Sequence, residues 1–110
     1  MLKKAYKLTT REYDNVLSLG KRNHNEYFSC YFLVSVDGPT KCAVTIPKKV
    51  SKKALKRNNM RRKTFDMIEK IYPQLLPHHM IIIMVRKDLK RLDQEVVFSA
   101  LNSILSPLVN

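Results

Sequence analysis

A chain of 110 residues with 45% hydrophobic residues is long enough for one packed core and too apolar for a disordered basic tail. Twenty-one Lys and Arg against nine Asp and Glu give a net charge of +12, which points to a polyanionic partner, nucleic acid before an acidic membrane surface. No apolar stretch has the length of a signal peptide or a membrane span, so a cytoplasmic protein without a membrane partner is expected, and two cysteines are too few for a disulfide framework.

The first element is a helix in "TTREYDNVLSLG". Thr9 and Glu12 have capping-box spacing, Tyr13, Val16 and Leu17 form an apolar stripe, and Gly20 supplies the stop. "KRNHN" reads as a polar loop. "EYFSCYFLVSV", the turn "DGPT" and "KCAVTI" then read as two antiparallel strands. Alternation puts Phe28, Cys30, Phe32 and Val34 on one apolar face and Tyr27, Ser29, Tyr31 and Leu33 on a mixed one. The mixed face offers either a stacking platform for bases or a seat for the first helix. Cys30 and Cys42 fit buried reduced thiols; with His78 and His79 they match no common zinc-ligand spacing.

Residues 48 to 63, "KKVSKKALKRNNMRRK", gather nine Lys and Arg without one Asp or Glu. They lead into a helix with Ser51 as candidate N-cap and Tyr72, before Pro73, as its last residue. Arg57 and Arg61 share one helical face, Asn58 and Arg62 the adjoining one. Two guanidiniums one turn apart suit successive phosphates, and an asparagine between them can bond a base edge or sugar. A solvated helix face without such a role usually mixes charge signs. "MIIIMV", residues 80 to 85, is apolar at every position and reads as a strand covered on both faces. "DQEVVFSALNSIL" forms a last helix opened by Asp93, striped by Val97, Ala100, Leu101 and Ile104, and ended before Pro107.

The expected fold is α+β, a single domain over residues 1 to 110: a two-layer sandwich in α-β-β-α-β-α order, with helices on one side of a small mixed sheet. The nine acidic residues are scattered; Asp66 with Glu69 and Asp93 with Glu95 sit on helices as surface charge or caps, and His78 and His79 follow Pro77 in a loop. Neither pattern supplies the clustered carboxylates or the acid-base pair of a nuclease, so no catalytic residue is expected in the protein.

"TIPKKVSKKALKRNNMRRKTF" resembles the signature of the protein subunit of bacterial ribonuclease P: a strand, a Lys-Lys pair, then an Ala-x-x-Arg-Asn-Arg-x-Lys-Arg-like helix. Lys48 and Lys49 match the pair, Ala54 the small residue, Arg57 and Asn58 the start of the motif, and Met60, Arg61 and Arg62 its continuation. "LTTREYDNVLSLG", "NEYFSCYFL" and "MIIIMVRKDLKRLD" resemble the family's first helix, first long strand, and late strand with its loop. Asn59 stands where the second motif arginine belongs, Pro47 replaces a small polar residue, Phe65 an often basic one, and Leu17 a common phenylalanine.

The resemblance implies a ribosomal-protein-type RNA-binding fold with a left-handed β-α-β crossover, and an accessory subunit of the endoribonuclease that removes the 5′ leader of precursor tRNA. Lys48, Lys49, Lys52, Lys53, Lys56, Arg57, Asn58, Arg61 and Arg62 would bind the catalytic RNA; Tyr13, Leu17 and Tyr31 would line the leader cleft. The implied partners are the catalytic RNA subunit and precursor tRNA, with no obligate protein partner. Mg2+ would be held mainly by RNA subunit and substrate, with none bound tightly by the protein. A ribosomal or structural RNA-binding protein without a part in cleavage shares the charge and layout and stands as the alternative.

Overall fold

A computed structural model describes residues 6–90 and 92–109; Lys3 and Lys4 of the basic start lie outside them. The elements are α1 (Thr10–Leu19), β1 (Lys21–His24), β2 (Phe28–Val34), β3 (Lys41–Thr45), α2 (Ala54–Ile71), β4 (His79–Val85) and α3 (Gln94–Leu105). They form a mixed α+β fold around a four-stranded sheet of order β1-β2-β4-β3, with β4 antiparallel to β2 and parallel to β3.

The apolar run of β4 explains this order. Ile81, Ile82 and Ile83 are at most 1% exposed, which requires cover on both faces and a strand on both edges. β2 and β3 therefore do not pair as the hairpin expected from "DGPT": β4 lies between them. The connection from β2 to β3 spans the start of β4. Ser35 N donates to His78 O, the buried Thr40 donates through Oγ1 to Leu76 O, and His79 N donates to Thr40 Oγ1 at 3.2 Å. These bonds hold the β2–β3 connection to the segment entering β4, in place of a two-strand turn.

"KRNH" is a strand, not the expected loop. It occupies an edge and pairs Lys21, Arg22, Asn23 and His24 with Phe32, Tyr31, Cys30 and Ser29. Its side chains carry almost no β-propensity, so pairing is imposed by the next turn. There Asn25 Oδ1 accepts from Tyr27 N and Phe28 N, and Asn25 Nδ2 donates to Ala100 O on α3. Such an asparagine turn reverses the chain against the free edge of β2.

The helices divide between the two sheet faces, where a single helical side was expected. On one face Cys30, Cys42, Val44, Ile81 and Ile83 pack with Met60, Phe65, Ile68 and Ile71 of α2 and Val97, Leu101 and Ile104 of α3. On the other, Ile82 and Met80 pack with Val16 of α1, flanked by Tyr13, Tyr31, Leu33 and Ala43. Strand alternation requires this, because Ile81 and Ile82 point to opposite faces and both are buried. Fully burying a Val, Ile or Met side chain contributes roughly 1.5–3 kcal/mol, so leaving the second face open would sacrifice that of Val16, Met80 and Ile82. Burial also raises the Cys30 and Cys42 thiols to about 12, which leaves both reduced and inert within the larger core.

Local signals set the helix limits. Thr9 caps α1 with the expected reciprocal box: Glu12 N donates to Thr9 Oγ1 at 3.2 Å and Thr9 N donates to Glu12 Oε1 at 2.9 Å. Gly20 ends the helix at φ −77°, and its necessity is spatial: a β-carbon there would stand 2.5 Å from Val16 O and 2.7 Å from Phe32 O. Asp93 caps α3, accepting from Glu95 N at 2.9 Å. α2 departs from expectation. Lys53, not Ser51, occupies its N-cap position without a side-chain bond, and Ile71, not Tyr72, is its last residue before a 3-10 turn at Tyr72–Gln74. Ser51 instead offers its carbonyl oxygen to Arg57.

Glu12 also joins α1 to the sheet through Lys41 Nζ at 3.0 Å. The Thr9 backbone N–H, then Lys41, hold the Glu12 carboxyl below its ordinary value of 4.5. A lowered folded value stabilises the native state above the ordinary value and loses that contribution as pH falls through the folded one. Thr9→Ala is expected to reduce unfolding stability by about 1 kcal/mol. Glu12→Gln is expected to lower the melting temperature at pH 7 and to leave it close to that of the unsubstituted chain at pH 2.5, as read by circular dichroism.

Candidate nucleic-acid interface

Strand register assembles the first part of the site. On the α1 face, Arg22, Tyr31, Ile82 and Ala43 form one row across the four strands, and His24, Ser29, Met84 and Thr45 form the next. α1 stands over these rows. Tyr13 shares a 2.8 Å hydrogen bond with Thr45 Oγ1, which fixes its ring above the sheet while Val16 closes the contact beneath. The Arg22 guanidinium carbon lies 5.8 Å from the centre of the Tyr31 ring, within cation–π range. This surface beside α1 presents partly exposed aromatic rings and a cationic edge.

Tyr13 and Tyr31, selected from sequence, thus belong to one cluster against Val16, Met80 and Ile82. Leu17 is not part of it. One turn after Tyr13, its side chain stands at the rim, 41% exposed. Arg22 and His24 carry no interface signal if "KRNHN" is a loop; in a strand, alternation places both on one face. Tyr27, expected on the mixed face, packs against the larger core on the other side.

The second part begins where the first ends. From Thr45, the partner of Tyr13, the chain passes Ile46 and Pro47 into a turn at residues 48–50, closed by Val50 N donating to Pro47 O at 3.0 Å. Lys48, Lys49, Lys52 and Lys53 are exposed on this approach to α2. On the helix Arg62 and Asn58 are exposed, and Lys56, Arg57 and Arg61 are half-buried.

α2 changes character along its length because only its second half meets the core. Phe65, Met67, Ile68 and Ile71 are buried, whereas in its first two turns Met60 alone is. Arg57 Nη1 donates to Ser51 O at 2.9 Å, and Arg61 Nη1 donates to Asn58 Oδ1 at 2.8 Å. Their first contacts are a backbone carbonyl and an amide, not carboxylates. A guanidinium has five donors, so most remain for an incoming anion while one bond orients the group. The ion pairs seen among the described residues, Lys41–Glu12 and Lys87–Glu26, lie off this segment. Like charges this dense repel until counterions or an anionic polymer neutralise them.

Among the described residues, no three His, Cys, Asp or Glu side chains are grouped to hold a metal ion. No described helix is long and apolar enough to cross a membrane.

The ribonuclease P family model matches residues 2–109. The ribonuclease P protein component of Picosynechococcus sp. is 30% identical over 95 residues, 86% of this chain and 82% of that protein. The ribonuclease P protein component of Microcystis aeruginosa is 30% identical over 83 residues, 69% of this chain and 67% of its own length. The structure of the ribonuclease P protein from Thermotoga maritima superposes with a TM-score of 0.83 at 22% identity, covering 94% of this chain and 98% of that one. The Staphylococcus aureus ribonuclease P protein gives 0.82 at 20% identity, covering 97% and 100%. A match over almost the entire length, with the fold to accompany it, places the chain in the ribonuclease P protein family, accessory subunits of the ribonucleoprotein endoribonuclease that matures tRNA 5′ ends.

Proposed function

We propose that this chain performs its family's role by holding two RNAs at once. Lys48, Lys49, Lys52, Lys53, Lys56, Arg57, Asn58, Arg61 and Arg62 bind the catalytic RNA subunit, and the cleft of Tyr13, Leu17 and Tyr31 takes the single-stranded 5′ leader of precursor tRNA. Supporting this is one observation above the others: a turn and helix start that together carry nine cations, with Arg57 and Arg61 oriented by neutral groups, follow directly from the strand that carries Thr45, the partner of Tyr13. Asn59 takes the place of one motif arginine, and Lys56 and Lys63 on the same helix offset its charge.

The RNA subunit performs the cleavage. The protein's share is binding and orientation. Leader bases stack on aromatic surface with little regard to sequence, and since mature tRNA lacks a leader, this contact favours substrate over product. The cationic segment lowers repulsion between the two RNAs, which hold the Mg2+ ions between them.

Reconstitution tests the reading against that of a structural RNA-binding protein. Added to the catalytic RNA at low magnesium, the purified chain is expected to raise turnover of leader-bearing tRNA. Tight RNA binding with no gain in cleavage would favour the structural role.

A further inference from the structure

On the sheet face opposite α1, α2, α3 and residues 88–90 enclose a cavity of about 180 Å³. Met60, Met67, Leu89 and Val97 form its apolar floor, each under a tenth exposed. Lys56, Arg62, Lys63 and Lys90 stand around its mouth. One carboxylate, Asp88, stands beside them and accepts from Lys90 N at 2.9 Å, leaving cations in excess around the mouth by four to one.

This pairing of surfaces is selective. A neutral apolar ligand has no use for four cations, and a free phosphate has none for a floor of two methionines, a leucine and a valine. A nucleotide matches both, because its base has an apolar π-face and its phosphate is anionic. Bases in a duplex are hidden by stacking, so the occupant comes from a bulge, junction or loop. The sheet separates the cavity from the Tyr13–Tyr31 cleft, so a leader strand lying in that cleft is on the wrong face to fill it.

We infer that this cavity receives one unstacked nucleotide of the catalytic RNA subunit, its base on Met60, Met67, Leu89 and Val97 and its phosphate between Lys63 and Lys90. The inference rests on the RNA-binding reading of α2 and extends it from backbone contact to a defined nucleotide pocket between α2 and α3.

Gln94, the exposed first residue of α3, borders the cavity and provides a test that leaves the basic helix intact. Gln94→Trp fills the space of the base while Lys63 and Lys90 keep the backbone phosphate, and is expected to weaken binding of the RNA subunit about tenfold, the loss of one stacked base, with an unchanged slope of log affinity against log salt. Gln94→Ala stays within about twofold. Lys90→Ala reduces the slope by roughly 0.7 to 0.9, the loss of one phosphate contact. Wild-type affinity of Gln94→Trp overturns the assignment and leaves the cavity to an occupant other than RNA; a loss carried wholly by a smaller slope overturns it too. A benzophenone side chain at Gln94, tested in the assembled holoenzyme, is expected to crosslink to the RNA subunit, and a crosslink to precursor tRNA instead refutes the choice of partner. If the unsubstituted chain itself fails to bind the RNA subunit, the RNA-binding reading falls; if it binds and Gln94→Trp binds equally, only the cavity assignment does.

Discussion

Replacing Arg57 and Arg61 together by alanine is expected to weaken assembly with the catalytic RNA roughly 25- to 60-fold at 0.1 M salt. Counterion release sets the size: each phosphate contact contributes about 0.7 to 0.9 to the slope of log affinity against log salt, so two contribute roughly 1.4 to 1.8. At 0.1 M that sum is also about the number of decades lost. Titration over a range of salt concentrations reads both quantities. The fold should tolerate the change, because Arg57 gives up one bond to Ser51 O and Arg61 one to Asn58 Oδ1, each contributing on the order of 1 kcal/mol. An unaltered slope would remove both arginines from the interface.

The second large effect is expected at Tyr31. Its ring lies in the row Arg22–Tyr31–Ile82–Ala43 beneath α1, with the Arg22 guanidinium 5.8 Å from the ring centre. Tyr31→Ala removes the platform and is expected to weaken precursor tRNA binding by the reconstituted enzyme about 5- to 150-fold, corresponding to roughly 1–3 kcal/mol for a stacked base. Binding of mature tRNA should hardly change. Because Tyr31 also packs against the Val16 cluster, Tyr31→Phe is the necessary companion. It keeps the ring and the packing, and precursor binding should stay within a few-fold of wild type. Equal losses for precursor and mature tRNA in the alanine variant would reject the cleft.

Two capping signals and one apolar run are legible in the sequence, whereas Ser51, also a capping residue type, does not cap α2. Thr9 and Glu12 announced the start of α1, Asp93 that of α3, and the all-apolar run at residues 80–85 a strand covered on both faces. Pairing partners are a different matter, because they depend on which strand most needs a central position. Nothing in "DGPT" says that β4 will enter between β2 and β3, and nothing in "KRNH" says that Asn25 will fold it onto an edge. The interface was legible to the same degree. Charge and helical spacing locate Arg57 and Arg61, while Arg22, opposite Tyr31, and His24, opposite Ser29, join that face only because β1 is a strand. The position of α1 over the opposite sheet face is implied by the all-apolar run at residues 80–85, which needs cover on both faces, and is invisible in element order alone.

The insertion of β4 has a consequence for how the molecule forms. β2 and β3 emerge early during synthesis, yet the hydrogen-bonding ladder that unites them waits for a strand encoded after the entire polycation has been made. Closing that ladder confines the crossover between β3 and β4 and concentrates its charge. Sheet completion and charge confinement are thus a single event, and a polyanion that neutralises the crossover acts on the whole molecule's folding equilibrium as well as on the helix it touches.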